Sequence, residues 1–184
     1  AELLTGEANP CGKLAETYPF HYEDTPAYSY FLTESRNAEY REGIYVGYRY
    51  YDTAKKEVRY PFGYGLSYTQ FSYSDFDVMS DRVSFVITNT GKYEGAEIAQ
   101  MYVAKSNSLV FRAAKELKGF KKVFLKPGES KQVTILFDDK TFRYWNRVTH
   151  QFEIEDGSYE ILIGSDSRSI RLKGICYMPG TNAI

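Results

Sequence analysis

The chain has 184 residues, of which 43% are hydrophobic and 17% aromatic, and its formal net charge is −1. This length and composition suffice for a domain with a substantial core and argue against disorder, while the near-neutral charge argues against a nucleic-acid-binding protein. No run approaches the roughly 20 consecutive apolar residues of a membrane helix, and no signal-peptide pattern opens the sequence, so we expect neither feature in this stretch.

Residues 1–68 are rich in aromatic side chains and poor in aliphatic ones. Turns are predicted at Asn9–Gly12 and around Pro26, because proline pushes the preceding residue out of the helical region. Residues Gly43–Tyr51 (GIYVGYRYY) favour a β-strand through their β-branched and aromatic content. Since the segment has no long amphipathic pattern and few aliphatics of its own, we predict that it packs onto another surface.

From Phe71 onward, short runs of alternating apolar and polar residues are separated by turn signals. Such alternation is typical of half-buried strands. The runs lie at Phe71–Asp75, Val83–Ile87, Ala96–Val103, Leu117–Leu125, Val133–Phe137, Phe142–Trp145, Phe152–Ile154, Tyr159–Ile163 and Ile170–Leu172. The turns are predicted at Met79–Asp81, Asn89–Lys92, Lys126–Glu129 and Asp156–Gly157. This succession predicts an all-β fold, an antiparallel β-sandwich whose two inner faces share one core.

Cysteines and histidines give no sign of a metal or disulfide framework. Cys11 and Cys176 are 165 positions apart, which favours two free thiols over one long-range disulfide. His21 and His150 are the only histidines, and neither has a second histidine at a ligand spacing. We therefore predict no metal site.

Three motifs have an ordinary structural interpretation beside a functional one. Residues 63–68 (GYGLSY) lack the third glycine of a dinucleotide fingerprint, and the two glycines instead favour close backbone approach. The five lysines between Lys115 and Lys126 favour a solvated strand face over a polyanion site. The aromatic cluster from Tyr40 to Tyr68 favours interdomain packing over a sugar-stacking platform. No spacing of carboxylates indicates a catalytic pair.

Several segments resemble glycoside hydrolase family 3, the β-glucosidase family. They are residues 6–14 (GEANPCGKL), 17–19 (TYP), 40–52 (YREGIYVGYRYYD) and 60–69 (YPFGYGLSYT). Residues 89–91 (NTG), 95–103 (GAEIAQMYV) and 115–120 (KELKGF) resemble the fibronectin type III-like domain that many members of this family carry. The segments are long, stand in the family's order and cover nearly the whole chain.

The resemblance implies the domain organisation and the parent reaction. Residues 1–68 would be the irregular, aromatic-rich end and linker of an (α/β)6 sandwich domain, 69–178 an immunoglobulin/fibronectin type III-like β-sandwich, and 179–184 a tail. The parent protein would be a retaining, cofactor-free β-glucosidase that hydrolyses terminal non-reducing β-D-glucosyl residues with carboxylates outside this stretch. Asp75 stands in an S-D-F sequence like that of the family's nucleophile, but its place on the first sandwich strand assigns it no catalytic role.

This stretch is therefore predicted to be an inactive, structural part of the parent enzyme, with no catalytic residue of its own. Its partners would be the barrel and α/β sandwich domains; a β-glucoside at a rim and a homodimer are further possibilities. The residues predicted to pack between domains are Tyr45, Tyr48, Tyr50, Tyr51, Phe62, Tyr64 and Tyr68, and those predicted to reach the sugar rim are Tyr28, Tyr30 and Phe31. A carbohydrate-binding module and a protein-interaction module stay open as alternatives. Localisation stays open as well, with a bacterial cytoplasm favoured over secretion.

Overall fold

The centre of the molecule is an antiparallel β-sandwich, seen in a computed structural model that describes residues 1–31 and 39–181. Its strands are β1 (Phe71–Val78), β2 (Arg82–Asn89), β3 (Gly95–Ala104), β4 (Glu116–Leu125), β5 (Ser130–Leu136), β6 (Tyr144–Asn146), β7 (Gln151–Glu153), β8 (Gly157–Gly164) and β9 (Ile170–Met178). One sheet has the order β1-β2-β5, the other has the order β4-β3-β8-β9, and β6 and β7 form a hairpin. The predicted all-β sandwich is confirmed.

Alternation along the strands builds the core between the two sheets. Val83, Phe85 and Ile87 of β2 are completely buried, and the strands opposite contribute Met101, Ile161 and Ile163, which are also completely buried. Each such side chain stabilises the fold by about 1.5–3 kcal/mol relative to leaving it exposed. The core therefore forms where the period-two pattern predicts it.

The turns between the strands follow their sequence signals. Glu129 donates its backbone N–H to the carbonyl of Lys126, 2.9 Å away, and Gly128 at the third turn position has φ 75°. That positive φ is what a type II turn requires at this position. Asn89 is completely buried, and its amide donates to the carbonyls of Tyr93 and Leu125, which closes the turn after β2.

The prediction of a β-strand over Gly43–Tyr51 is wrong. The backbone turns at residues 41–44 and then forms helix α2 (Tyr48–Thr53), which follows Gly47 at φ 59°. Aromatic residues favour strands because strands offer a half-buried packing surface. Here the Tyr48 ring packs against Tyr102 on the four-stranded sheet, while its own backbone is helical. Within residues 1–31 and 39–181, the other helices are α1 (Glu2–Thr5) and the 3₁₀ turns Tyr22–Asp24 and Asp139–Phe142.

The first of the two short strands predicted after β5 begins later than expected. Phe142 ends a 3₁₀ turn instead of starting a strand, because the Asp138 carboxylate accepts the backbone N–H of Lys140 and caps that turn. Its ring is 1% exposed and packs edge-to-face on the Tyr159 ring, 5.0 Å away. The residue belongs to the core in spite of the shift.

Asp75 lies at a bulge in the edge strand β1. The register with β2 shifts between Ser74 and Asp77, and Asp75 has φ 52° and is exposed. A bulge of this kind interrupts the regular ladder and protects a free sheet edge from pairing with another chain.

Cys11 and Cys176 are both free, as predicted.

Glu153 anchors the β6–β7 hairpin. Its carboxylate accepts hydrogen bonds from the Asn146 amide (2.7 Å), the Tyr144 hydroxyl (3.1 Å) and the Thr149 hydroxyl. The bonds from Asn146 and Thr149 are the main reason why the pKa of Glu153 lies below its ordinary value. The folded state therefore favours the ionised carboxylate.

The substitution Glu153→Gln is expected to make stability less sensitive to acid. Because the pKa of Glu153 is lower in the folded than in the unfolded chain, its contribution is complete above the ordinary carboxyl pKa and is lost as pH falls through the lowered value. Urea unfolding between about pH 7 and pH 3 should show a shallower acidic fall for the variant than for the parent chain. The exposed Glu57→Gln is the control. Equal acidic slopes for Glu153→Gln and the parent chain would contradict the assignment.

Candidate functional site

The described residues of the segment, 1–31 and 39–68, lie against the outer face of the four-stranded sheet. The Gln100 amide on β3 donates to the carbonyl of Gly63 at 3.1 Å. On β4, the backbone N–H of Leu117 donates to the Tyr48 hydroxyl at 2.8 Å. Burial raises the pKa of Tyr102 far above its ordinary value, so its hydroxyl stays protonated and donates to Gln100 Oε1 at 2.6 Å. The sheet thus has a polar outer patch that the segment covers.

Four of the seven residues predicted to pack between domains lie between this segment and the sandwich. Tyr51 is 3% exposed. The ring of Tyr48 stacks on Phe62 at 4.6 Å and meets Tyr102 edge-on at 6.0 Å. The Tyr45 ring meets the edge of Phe111 at 5.0 Å. Packing of these residues against a further domain stays a prediction.

The other three predicted residues are placed differently. The Tyr50 ring lies 5.2 Å from Tyr51, and the Tyr64 ring lies 5.1 Å from Tyr60. Tyr68 is half exposed, and its hydroxyl donates to the carbonyl of Leu3. Tyr64 and Tyr68 therefore lie at the outer surface of the segment, where they border two grooves.

The glycines of the GYGLSY motif allow close backbone approach, as predicted. A side chain at Gly65 would collide with the carbonyl oxygen of Gly12, and one at Gly63 would collide with the Gln100 amide. Gly63 also has φ 80°, a conformation that other residues adopt only with strain. The two glycines thus allow residues 63–65 to pack closely against β3 and against residue 12.

A buried carboxylate joins the segment to two loops of the sandwich. Asp52 on α2 is 4% exposed at its side chain. Its Oδ2 lies 3.0 Å from Lys115 Nζ, and its Oδ1 accepts from Arg168 Nε at 2.9 Å. The Arg168 guanidinium also donates to the carbonyl of Lys56 at 2.6 Å. We call these three charged side chains the Asp52 clamp.

The clamp revises the interpretation of the lysine-rich stretch. Lys115 is 15% exposed and paired with Asp52 rather than solvated, and Lys118 lies 3.1 Å from Glu116. Lys122 Nζ lies 3.2 Å from Cys11 Sγ. Lys115 and Lys118 are thus paired, whereas Lys121, Lys122 and Lys126 are exposed, as predicted for a solvated face.

Asn9 connects two further parts of the chain, at Ser67–Tyr68 and at Glu94. Its Oδ1 accepts from the Ser67 hydroxyl (3.1 Å) and the Tyr68 backbone N–H (2.9 Å), and its Nδ2 donates to the Glu94 carbonyl (2.8 Å). Lys13 forms a largely buried ion pair with Glu97 at 3.0 Å. The local sequence indicates only a turn at Asn9, because the partners of its side chain lie far away along the chain.

Two grooves border residues 9–14: one is lined by the segment alone, and the other lies between the segment and the sandwich. The first, the tyrosine groove, has a volume of about 790 Å³ and is lined mainly by Leu3, Pro10, Leu14, Tyr18, Tyr60, Tyr64 and Leu66. The second, the α1 groove, has a volume of about 1080 Å³ and is lined by Leu4, Cys11, Tyr68, Tyr93, Lys122, Phe124 and neighbouring residues. Leu4 is 92% exposed and Leu66 is 66% exposed. Large apolar side chains grouped at a surface mark an interaction site.

The residues predicted to reach a sugar rim form a separate exposed turn. Tyr28 and Phe31 are exposed, and the Tyr28 ring meets the edge of the Tyr22 ring at 5.1 Å. The Arg41 guanidinium lies 5.4 Å from the centre of the Tyr30 ring. The residues after Phe31, up to position 38, lie outside the described part of the chain.

No cluster of three or more potential metal ligands occurs in residues 1–31 and 39–181. Within the same described ranges, no helix is long and apolar enough to cross a membrane.

Comparison with known proteins defines the class of domain. The fibronectin type III-like domain family matches residues 97–167, which extend from β3 to the connection between β8 and β9. The chain therefore contains a fibronectin type III-like domain, in agreement with the two-sheet topology.

Nearly the whole chain also matches larger sugar-cleaving enzymes. It is 50% identical over 181 residues to thermostable β-glucosidase B of Acetivibrio thermocellus, covering 94% of this chain and 24% of that protein. It is 43% identical over 175 residues to exo-α-(1→6)-L-arabinopyranosidase of Bifidobacterium breve, covering 92% and 23% respectively.

Solved structures give the same result. The glycoside hydrolase family 3 β-glucosidase of Bifidobacterium adolescentis has a TM-score of 0.92 at 39% identity, over 98% of this chain and 27% of that one. The β-glucosidase 3B of Thermotoga neapolitana, in complex with α-D-glucose, has a TM-score of 0.87 at 41% identity, over 96% and 26%. This chain thus corresponds to a part of glycoside hydrolase family 3 β-glucosidases and spans about a quarter of their length.

The substitution Asp52→Ala is expected to destabilise the protein by about 3–5 kcal/mol, because it leaves Lys115 and Arg168 without their buried counter-charge. Urea unfolding of the variant checks the loss. Asp77→Ala, on the exposed face of the other sheet, is the matched control and should change stability by less than about 0.5 kcal/mol. A comparably small effect of Asp52→Ala would show that the clamp is not a stabilising contact.

Proposed function

We propose that this chain is the non-catalytic, structural part of a family 3 glycosidase and docks its residues 1–68 onto the catalytic domains. In the intact enzyme, the tyrosine groove and the α1 groove would be covered by the remainder of the polypeptide. The parent reaction would be hydrolysis of terminal β-D-glucosyl residues by a retaining, two-carboxylate mechanism.

The contrast between the two outer faces of the sandwich is the observation that carries this proposal. The outer face of the three-stranded sheet carries hydroxyl pairs, Ser84 with Thr134 at 3.3 Å and Thr88 with Ser130 at 2.7 Å. The opposite side carries the segment, whose own outer surface exposes Tyr18, Tyr60, Leu66 and other apolar residues. One side suits water and the other suits an apolar partner.

The relatives support the same division of labour. Proteins named for a β-glucosidase and for an arabinopyranosidase share this stretch at 50% and 43% identity. A part that is common to enzymes named for different sugars suits a structural role better than a role in the reaction. About three quarters of each relative lies outside the match and supplies a partner of sufficient size.

A role in sugar recognition is the second candidate. It is supported by the exposed turn of Tyr28, Tyr30 and Phe31, because aromatic ring faces suit the apolar faces of pyranoses. As an independent carbohydrate-binding module, the isolated chain would bind a β-glucan; as a structural part, it would not.

The isolated chain is expected to give no turnover of an aryl β-glucoside, whereas the full-length enzyme should hydrolyse it. The reason is that both reacting carboxylates would lie in the remainder of the enzyme. Release of the aryl group, followed by absorbance, measures both samples. Substantial turnover by the isolated chain would overturn the proposal.

The substitution Leu66→Asp in the full-length enzyme is expected to lower stability by about 1–3 kcal/mol, because it places a charge against an apolar partner. Thermal unfolding measures the loss. Leu136→Asp is the matched control, since Leu136 is similarly exposed (70%) but lies on the hydroxyl-bearing face. Equal effects of the two substitutions would argue against docking through the tyrosine groove.

Replacing Tyr28, Tyr30 and Phe31 together by alanine in the full-length enzyme is expected to raise KM for a disaccharide about tenfold and to leave kcat unchanged. Loss of ring contacts worth about 0.5–1.5 kcal/mol would weaken substrate and transition-state binding equally. Phe152→Ala, which removes an exposed ring elsewhere, is the control. An unchanged KM would remove the rim assignment and leave the structural role intact.

A further inference from the structure

The connection between β3 and β4 presents an apolar tip to solvent. Leu109 is 98% exposed and Phe111 is 79% exposed, in a loop that we call the finger (residues 106–112). A fully exposed leucine lacks the hydrophobic stabilisation that the same side chain gains when it is buried in a core. One exposed apolar residue is common on protein surfaces, but two at the tip of one loop form a small patch.

The finger is held in one conformation by a carboxylate from the sandwich. Glu155 accepts the Leu109 backbone N–H and the Ser108 hydroxyl, each at 2.6 Å, and pairs with the Arg112 guanidinium at 3.3 Å. Both charged side chains are largely buried, at 12% and 15% exposure. A loop that is fixed before binding loses less conformational entropy when it binds.

The two serine hydroxyls of the finger, at Ser106 and Ser108, already have partners within the chain. The Ser108 hydroxyl binds Glu155 and the Val110 carbonyl, and the Arg112 guanidinium lies 5.5 Å and 5.7 Å from the rings of Tyr144 and Tyr159. The tip therefore offers apolar surface. A sugar would need hydrogen-bonding groups beside the rings, whereas an apolar protein surface needs only the side chains of Leu109 and Phe111.

The tip is continuous with the segment that is proposed to dock. The Phe111 ring meets the Tyr45 ring at 5.0 Å, and the Tyr45 hydroxyl donates to the Arg112 carbonyl at 3.3 Å. On either side of Tyr45, Ile44 and Val46 are 44% and 58% exposed. Leu109 and Phe111 thus extend an apolar strip from the segment onto the sandwich.

We propose that the finger is a second docking contact, in which Leu109 and Phe111 insert into an apolar surface of the catalytic part of the same enzyme. This proposal rests on the proposed function, because the occupant is the three quarters of the relatives' length that lies outside the match. The sandwich would then touch the catalytic part directly, as well as through residues 1–68.

Thiol labelling of the full-length enzyme tests whether the finger is covered. Single cysteines are introduced by Leu109→Cys, Leu66→Cys and Leu136→Cys in a Cys11→Ser background, while Cys176 is buried and stays in place. We expect a maleimide to label position 109 at least about tenfold more slowly than position 136, because the reagent must reach the thiol from solvent. Equal labelling rates at positions 109 and 136 would overturn the finger proposal.

The third position separates this proposal from the proposed function. Protection of position 66 without protection of position 109 leaves the grooves docked and the finger free, which overturns only the finger contact. If positions 66 and 109 are both labelled as fast as position 136, neither the grooves nor the finger is covered, and this result contradicts the proposed function as well as the finger contact. Protection of position 109 that disappears on dilution shows that a second copy covers the finger, and this result also overturns the proposal.

Discussion

The packing of the segment on the sandwich depends on one constraint: polar groups are buried on the outer face of the four-stranded sheet and need hydrogen-bond partners there. Gln100 and Tyr102 are almost fully buried on β3, and the Gln100 amide has its partners in the carbonyls of Gly63 and Ser165. A buried polar group without a partner costs about 1–3 kcal/mol. Because Gly63 belongs to residues 1–68, the sheet obtains part of its hydrogen bonding from that segment. The Asp52 clamp adds a buried carboxylate, which likewise needs partners, and these are Lys115 and Arg168 of the sandwich.

The segment consequently acts as a layer with two different faces. Its inner face buries Tyr51 and stacks Tyr48 on Phe62, while its outer face leaves Tyr64 and Leu66 along the tyrosine groove. Rings on the inner face fix the layer to a rigid sheet. A surface carried by a rigid sheet is pre-organised for a partner, which reduces the entropy lost on docking. In the proposed function, the β-sandwich would support that surface.

Strand positions could be predicted from the sequence because they depend on local alternation, as at Val83, Phe85 and Ile87. The helix at Tyr48–Thr53 could not, since the same rings suit any half-buried surface and the sequence does not say which surface they meet. The Asp52 clamp could not be predicted from local sequence patterns either, because Asp52 and Arg168 are 116 positions apart. Local patterns therefore predicted the fold, and long-range pairs determined the candidate site.

Twelve of the chain's 18 tyrosines lie in residues 1–68, and some of them take part in this long-range pairing. An ordinary two-sheet core needs one inner face per sheet, and here aliphatic residues such as Ile161 and Ile163 largely fill it. Tyrosines instead concentrate in the covering layer, where a ring can bury its face and keep its hydroxyl at a hydrogen-bond partner. Tyr48 does both, with its ring on Phe62 and its hydroxyl at the Leu117 N–H. In the proposed enzyme, a layer between the sandwich and the catalytic part would have both apolar and polar contacts to satisfy, and tyrosine satisfies both with one side chain.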